Sequence, residues 1–158
     1  AAIAVRPDTS TGQAEEDDIE LVDASKSMQY VLCGLGDGCA LSSGPPTEAR
    51  HTLLRREALE LALYTFKYVD GVQSVTVFLP PPAGGQTAGT AVFLERGDTG
   101  PELAKPLSST LSPLTPSVGA IKAGELQTLN RITRSRLYQF QYTQAQDLSA
   151  VLVLDPIA

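Results

Sequence analysis

Apolar residues return along this chain with two different periods, and the switches between them mark out its elements. Between 47 and 69, Leu54, Ala58, Leu61 and Thr65 recur at spacings of four, three and four, which is one face of an α-helix. Pro45-Pro46 precedes it, Thr47 suits the N-cap, and Glu48 falls in the first turn, where the helix dipole favours an acid. Arg55, Arg56, Glu57 and Glu60 fall largely off the apolar face, with Arg56 and Glu60 at i,i+4 spacing. Gly71 serves as the stop. Tyr64 to Tyr68 also alternates, and Asp70-Gly71 is a strong hairpin dipeptide, so a strand over 64–69 competes with the end of the helix. The unbroken run of helix formers from Arg55 to Leu63 favours the helix.

Elsewhere the period is two. Val75, Val77 and Leu79 alternate with Thr76 and Phe78 and end at Pro80, and a turn through Gly84-Gly85 leads into a second strand from Thr90 to Glu95, making a hairpin. Leu137 to Thr143 alternates aromatics with glutamines, while Ala150 to Leu154 is continuously apolar, as a central strand would be. Ile19 and Leu21, then Met28 to Leu32, read as two further strands, and Ile3 and Val5 allow a short edge strand. Residues 124–133 suit a shorter helix with Leu126, Leu129 and Ile132 as its apolar edge. The Pro/Ser/Thr-rich stretch 97–120 reads as a surface excursion with one helical turn at Glu102–Ala104. The pattern Leu-Tyr-x-Phe-x-Tyr occurs at 63–68 and again at 137–142, as a duplicated half-domain would produce.

Together these predict an α+β fold: one mostly antiparallel sheet of five to seven strands, covered by a long helix (47–69) and a shorter one (124–133). An N-terminal lead-in occupies 1–18 and a single domain 19–158. The expected core includes Leu54, Ala58, Leu61, Val75, Val77, Val92, Ile132, Val151 and Val153.

Composition narrows the role. With 42% hydrophobic and 19% charged residues the chain is globular in character. A net charge of −6 argues against nucleic acid and against direct binding to an anionic membrane surface. The chain begins at Ala1, so an upstream segment, and with it an N-terminal tether, is expected. Cys33 and Cys39 are the only cysteines. Close and even in number, they suit a disulfide in an oxidising compartment, worth about 2 kcal/mol for so small a loop, with two buried thiols as the alternative.

The candidate sites are sparse. His51 is the only histidine and has no G-x-S-x-G partner, so it is expected on the surface, and no catalytic residue, metal site or cofactor is expected. Gly34-x-Gly36-x-Gly38 lacks the third glycine and the helix of a dinucleotide fingerprint. The run Glu15–Asp18 lacks calcium-loop spacing. Arg131, Arg134 and Arg136 form a candidate anion or partner clamp, the stripe Tyr138, Phe140 and Tyr142 a candidate platform, and Glu95, Asp98 and Glu102 a candidate carboxylate site. The stretch Arg55 to Tyr68, with the following Val-rich strand and Pro80-Pro81, resembles uncharacterised membrane-anchored envelope proteins of actinobacteria. That resemblance carries no functional motif. It implies a small domain behind a membrane anchor, and no activity; the cysteine pair, the start at Ala1 and the absence of catalytic clusters add the expectation of an extracytoplasmic protein of the cell envelope, membrane-associated only through an upstream anchor and with another envelope protein as its possible partner. The expected role is therefore a non-enzymatic extracytoplasmic module that binds or senses, with a small hydrolytic enzyme using carboxylates near 95–118 as the alternative. Oligomeric state is not legible in the sequence.

Overall fold

The structure, a computed structural model, describes residues 1–12, 15, 17–33, 38, 39, 45, 47–80 and 89–157. The Gly34–Asp37 loop, the Gly84-Gly85 turn and part of the acidic run lie outside them. Seven strands form one sheet: β1 (Ala2–Val5), β2 (Glu20–Asp23), β3 (Ser27–Val31), β4 (Ser74–Leu79), β5 (Thr90–Glu95), β6 (Leu137–Gln144) and β7 (Ala150–Pro156), in the order β2-β1-β7-β6-β5-β4-β3. Pairs β1–β2, β4–β5, β5–β6 and β6–β7 are antiparallel, while β1–β7 and β3–β4 are parallel. The helices are α1 (Glu48–Tyr68), the single turn α2 (Gly100–Leu103) and α3 (Ala123–Thr133). The α+β architecture, the mostly antiparallel sheet, the long helix and the shorter one are therefore as the sequence predicts.

One connection decides the shape of the sheet. β2 and β3 stand at its two opposite edges, yet only the 3-10 turn Ala24–Lys26 separates them in sequence. Four Cα steps reach at most about 15 Å, whereas six strand spacings in an open sheet would hold the edges about 29 Å apart. The sheet must coil until those edges meet. Following the pairings from strand to strand, β2 and β3 also run in the same direction. They act as one kinked strand, bonded to β1 through its first half and to β4 through its second. Among the described residues the result is an incompletely closed barrel, open along β3, where Val31 is 81% exposed.

Strand alternation then gives two cores. Inside the barrel lie Ile3, Val5, Phe78, Ala91, Phe93, Tyr138, Leu152 and Leu154. Outside it, Val75, Val77, Leu79, Val92 and Leu94 pack against α1, with Leu129 and Ile132 of α3 and Leu107 and Leu111 of the 97–120 stretch completing the layer. β1 is accordingly an inner strand rather than an edge: Ile3 has no exposed surface and pairs with both Val22 and Leu152. Within the expected core, Leu61 and Val151 are half-buried and the other members are buried.

α1 departs from the one-faced helix its spacing suggests. It lies between the barrel and the α3/97–120 layer, so Leu53, Leu59, Leu63 and Phe66 are buried as well, and so are Arg50, Arg55 and Arg56. Thr47 caps it, accepting from Arg50 N–H at 3.2 Å. At its other end Arg96 donates to the carbonyls of Phe66 (2.7 Å) and Val72 (2.8 and 3.0 Å). Gly71, at φ 80°, turns the chain into β4. The helix runs through Tyr64–Tyr68, while the matching pattern at 137–142 is strand, so the echo is not a structural repeat.

The barrel interior depends on two small residues. Ala91 pairs with Phe78 on one side and Tyr138 on the other. At Gly89, a Cβ would lie 2.5 Å from Phe140 Cζ and against Cε1, because that ring reaches across to Phe78, centroids 4.6 Å apart. Gly89→Ala should therefore destabilise the fold by about 1–3 kcal/mol. In urea denaturation the loss should shrink when Phe140→Leu is added; an unchanged midpoint for Gly89→Ala would refute this packing.

Candidate functional site

Titratable side chains gather at the end of the barrel where β2 begins and β5 ends. Glu95 follows Phe93 on the interior face and pairs with Ser74. The 3-10 turn Arg96–Thr99 brings Asp98 back, and its Oδ2 accepts from Glu95 N–H at 2.8 Å. Asp98 Oδ1 accepts from Arg136, which ends the turn leading into β6. Tyr138, two residues on, is buried in the barrel, and Glu20 stands exposed at the mouth, paired with Val5. Register also places Ser27, Ser74 and Thr76 on the interior side, where their buried hydroxyls have no hydrogen-bond partner among the described residues.

This environment changes the acids. Burial first, then the charges of Glu20 and Asp98, push the Glu95 carboxyl above the usual range, with Arg136 opposing. Burial likewise raises the Tyr138 hydroxyl; Arg136 opposes, and Asp98 and Glu20 add to the rise. A half-buried carboxyl beside a second carboxylate is suited to taking up and releasing a proton. Sequence reasoning singled out Glu95 and Asp98, but it missed Glu20 and placed Arg136 in a different cluster.

The arginines 131, 134 and 136 do not form one clamp. Arg136 is held by Asp98, and Arg131 by Glu102. Glu102 is buried, and the 97–120 stretch that carries it packs onto α1 instead of standing off the surface. The three candidate carboxylates are likewise divided: Asp98 and Glu102 are paired with arginines, and Glu95 is not. Arg134 stands apart and exposed, immediately after Thr133, whose hydroxyl accepts from Arg55. Of the aromatic stripe, Tyr138 and Phe140 belong to the interior and Tyr142 is 59% exposed.

A second polar cluster is structural. Arg56 has no exposed surface and donates to Glu125 Oε1 (2.5 Å), Glu60 Oε2 (2.7 Å) and the Ser112 carbonyl (2.8 Å), with Glu57 at 3.5 Å. Glu125 Oε2 accepts from Ser112 N–H at 3.3 Å. One guanidinium thus ties α1, α3 and the 97–120 stretch together. The i,i+4 spacing to Glu60 was readable in the sequence; the two distant partners were not.

Cys33 and Cys39 are bonded to each other, Cα atoms 5.5 Å apart. The bond closes directly after Leu32, whose N–H continues the β3–β4 ladder to the Phe78 carbonyl. His51 is half-buried on α1. Among the described residues no group of His, Cys, Asp and Glu could hold a metal, and no helix is long and apolar enough to cross a membrane. A cleft of about 580 Å³ lies at the ends of the parallel strands β1 and β7, where Arg6 and Asp155 pair at 3.2 Å. No protein-family model, curated protein or solved structure matches the chain.

Two outcomes follow from this geometry. Raised in the fold, the Glu95 pKa contributes stability that is fully present below the unfolded value and is lost as pH rises through the folded one. Glu95→Gln should therefore melt higher than the native protein at pH 8 and converge with it near pH 3.5; a lower melting temperature at pH 8 would contradict the assignment. For the disulfide, the denatured, unreduced chain should titrate no thiols, and Cys33→Ser/Cys39→Ser should lose about 2 kcal/mol. Two free thiols in the titration would refute the bond.

Proposed function

We propose that this chain is a non-enzymatic extracytoplasmic module that binds or senses, tethered to the cell envelope through its N-terminus and partnered by another envelope protein. The Cys33–Cys39 bond carries this reading, because such bonds persist in oxidising compartments and are rare where cellular reductants keep thiols free. The resemblance of residues 55–81 to membrane-anchored actinobacterial envelope proteins supports the tether. Binding is supported by the outer edges of β2 and β3, which pair with no further strand among the described residues and expose Leu21 (74%) and Val31 (81%), and so offer a partner backbone groups together with apolar side chains. The proton-accepting cluster around Glu95 supports a sensing role.

A reporter pair tests the compartment. The complete gene fused to a phosphatase that matures only after disulfide formation should give activity that sediments with membranes, and a β-galactosidase fusion should be silent. Activity from the β-galactosidase fusion alone would overturn the compartment; phosphatase activity entirely in the soluble fraction would overturn the tether.

The second reading, a small hydrolytic enzyme, is favoured by one observation: Glu95 is raised beside Glu20, as a general acid beside a carboxylate would be. Turnover of a chromogenic ester or glycoside that falls a hundredfold in Glu95→Gln would replace binding with hydrolysis.

A further inference from the structure

Two adjacent arginines on α1 are buried to nearly the same degree and treated in opposite ways. Arg56, with no exposed surface, faces three carboxylates and a carbonyl. Arg55, 4% exposed, donates to two neutral oxygens, Thr133 Oγ1 and Asn130 Oδ1, both at 3.0 Å, and its Nε–H has no partner. It makes no ion pair among the described residues. Burying a guanidinium without a counter-charge is costly, and in a chain of net charge −6 the lack of a carboxylate here does not follow from a shortage of acids.

The surroundings sharpen the imbalance. Arg134 follows Thr133 directly at the end of α3, exposed and like-charged, and His51 lies one turn before Arg55 on the same stripe of α1. Glu48, exposed in the first turn of the same stripe, is the nearby acid, and it forms no ion pair with Arg55 among the described residues. The carbonyl end of α3 compensates part of the charge, as a helix C-terminus does, but only part. Burial, with Glu48 opposing and Arg134 adding, depresses the Arg55 pKa, and burial followed by Arg55, with Glu48 opposing, depresses that of His51.

We propose that Arg55, Arg134 and His51 form a binding site for a single oxyanion, a carboxylate, sulfate or phosphate group, where α1 meets the C-terminal end of α3. Arg134, exposed to solvent, makes first contact. Behind it the buried Arg55 guanidinium, fixed to α3 through Thr133 and Asn130, supplies uncompensated charge, His51 lies one turn away, and the anion provides the counter-charge the fold withholds. Arg131 and Arg136, already engaged by Glu102 and Asp98, take no part. The site does not depend on the compartment in which the protein works.

Thermal melts and isothermal titration of the intact chain at constant ionic strength test it, with inorganic phosphate in one arm and succinate in the other, against chloride. A saturable rise in melting temperature with one or both anions is expected, and the responding arm identifies the source as phosphoryl or carboxylate. Arg134→Ala, an exposed change that leaves the core intact, should weaken binding about tenfold, as loss of a charge-assisted contact does. Arg55→Met, which fills the same space without charge, should abolish the response, while Lys105→Ala should leave it unchanged. A rise that is linear in anion concentration, that is the same in Arg134→Ala as in the native chain, or that is absent in both arms would overturn the proposal.

Discussion

Three residues, Ala24–Lys26, impose the constraint on which the rest of this fold depends. They are too few to let β2 and β3 sit at the far edges of an open sheet, so the sheet must coil, and coiling creates an interior. That interior turns ordinary alternation into a demand on every strand. One face must fill a barrel and the other must receive α1, which is why β4 is buried along its whole length. The demand is sharpest where aromatic rings meet across strands, and there Ala91 and Gly89 are small because Phe78 and Phe140 are large. It also raises β1 from a terminal extension to a wall of the barrel.

The helical layer is organised differently, around a charge. A hydrophobic residue at 56 would satisfy burial equally well, and buried ion pairs are often no more stabilising than such a replacement. Specificity is what the guanidinium adds. Its donors aim at Glu125, Glu60 and the Ser112 carbonyl at once, so α3 and the 97–120 stretch can dock on α1 in only one register. Lys67, donating to the Leu103 and Lys105 carbonyls, and Arg131, paired with Glu102, repeat the device further along the same stretch. A segment rich in Pro, Ser and Thr, with little regular structure of its own, is thereby fixed by charged side chains that reach out from the helices.

Local pattern made much of this legible. The limits of α1 and α3, the β4–β5 hairpin, β6 and β7 all follow from periodicity, capping residues and prolines, which act over a few neighbouring positions. What was not legible is long-range. Ile3 pairs with Leu152 through a parallel contact across nearly the whole chain, and no property of Ala-Ile-Ala-Val distinguishes an inner strand from an edge. Arg55 and Arg56 look like solvent-facing residues until a second layer covers them. Leu-Tyr-x-Phe-x-Tyr folds as helix once and strand once, because at 63–68 it continues a strong helix and at 137–142 it lies between two strands that complete its ladder. The candidate site was half legible for the same reason: Glu95 and Asp98 are neighbours in sequence, whereas Arg136 reaches them through the β5–β6 pairing and Glu20 only through barrel closure.

Once the internal pairs are matched, the remaining charge is unevenly placed, and the imbalance marks the parts of the molecule that the fold does not explain. Arg56, Arg131 and Arg136 each have a carboxylate, and Arg96 has carbonyls. Arg50, buried with two nitrogens unpartnered among the described residues, is left over, and so are two clusters. At the barrel mouth the acids Glu20 and Glu95 crowd one another beside hydroxyls with no partner. At the junction of α1 and α3, Arg55 and Arg134 crowd one another, with Glu48 opposing but forming no ion pair with Arg55 among the described residues. A sequence under selection for stability alone would resolve both, since a single Gln at 95 or a single Glu near 134 would suffice. Local consistency fails at these two clusters, one able to take a proton and the other an anion, and it is at such failures that proteins keep their function.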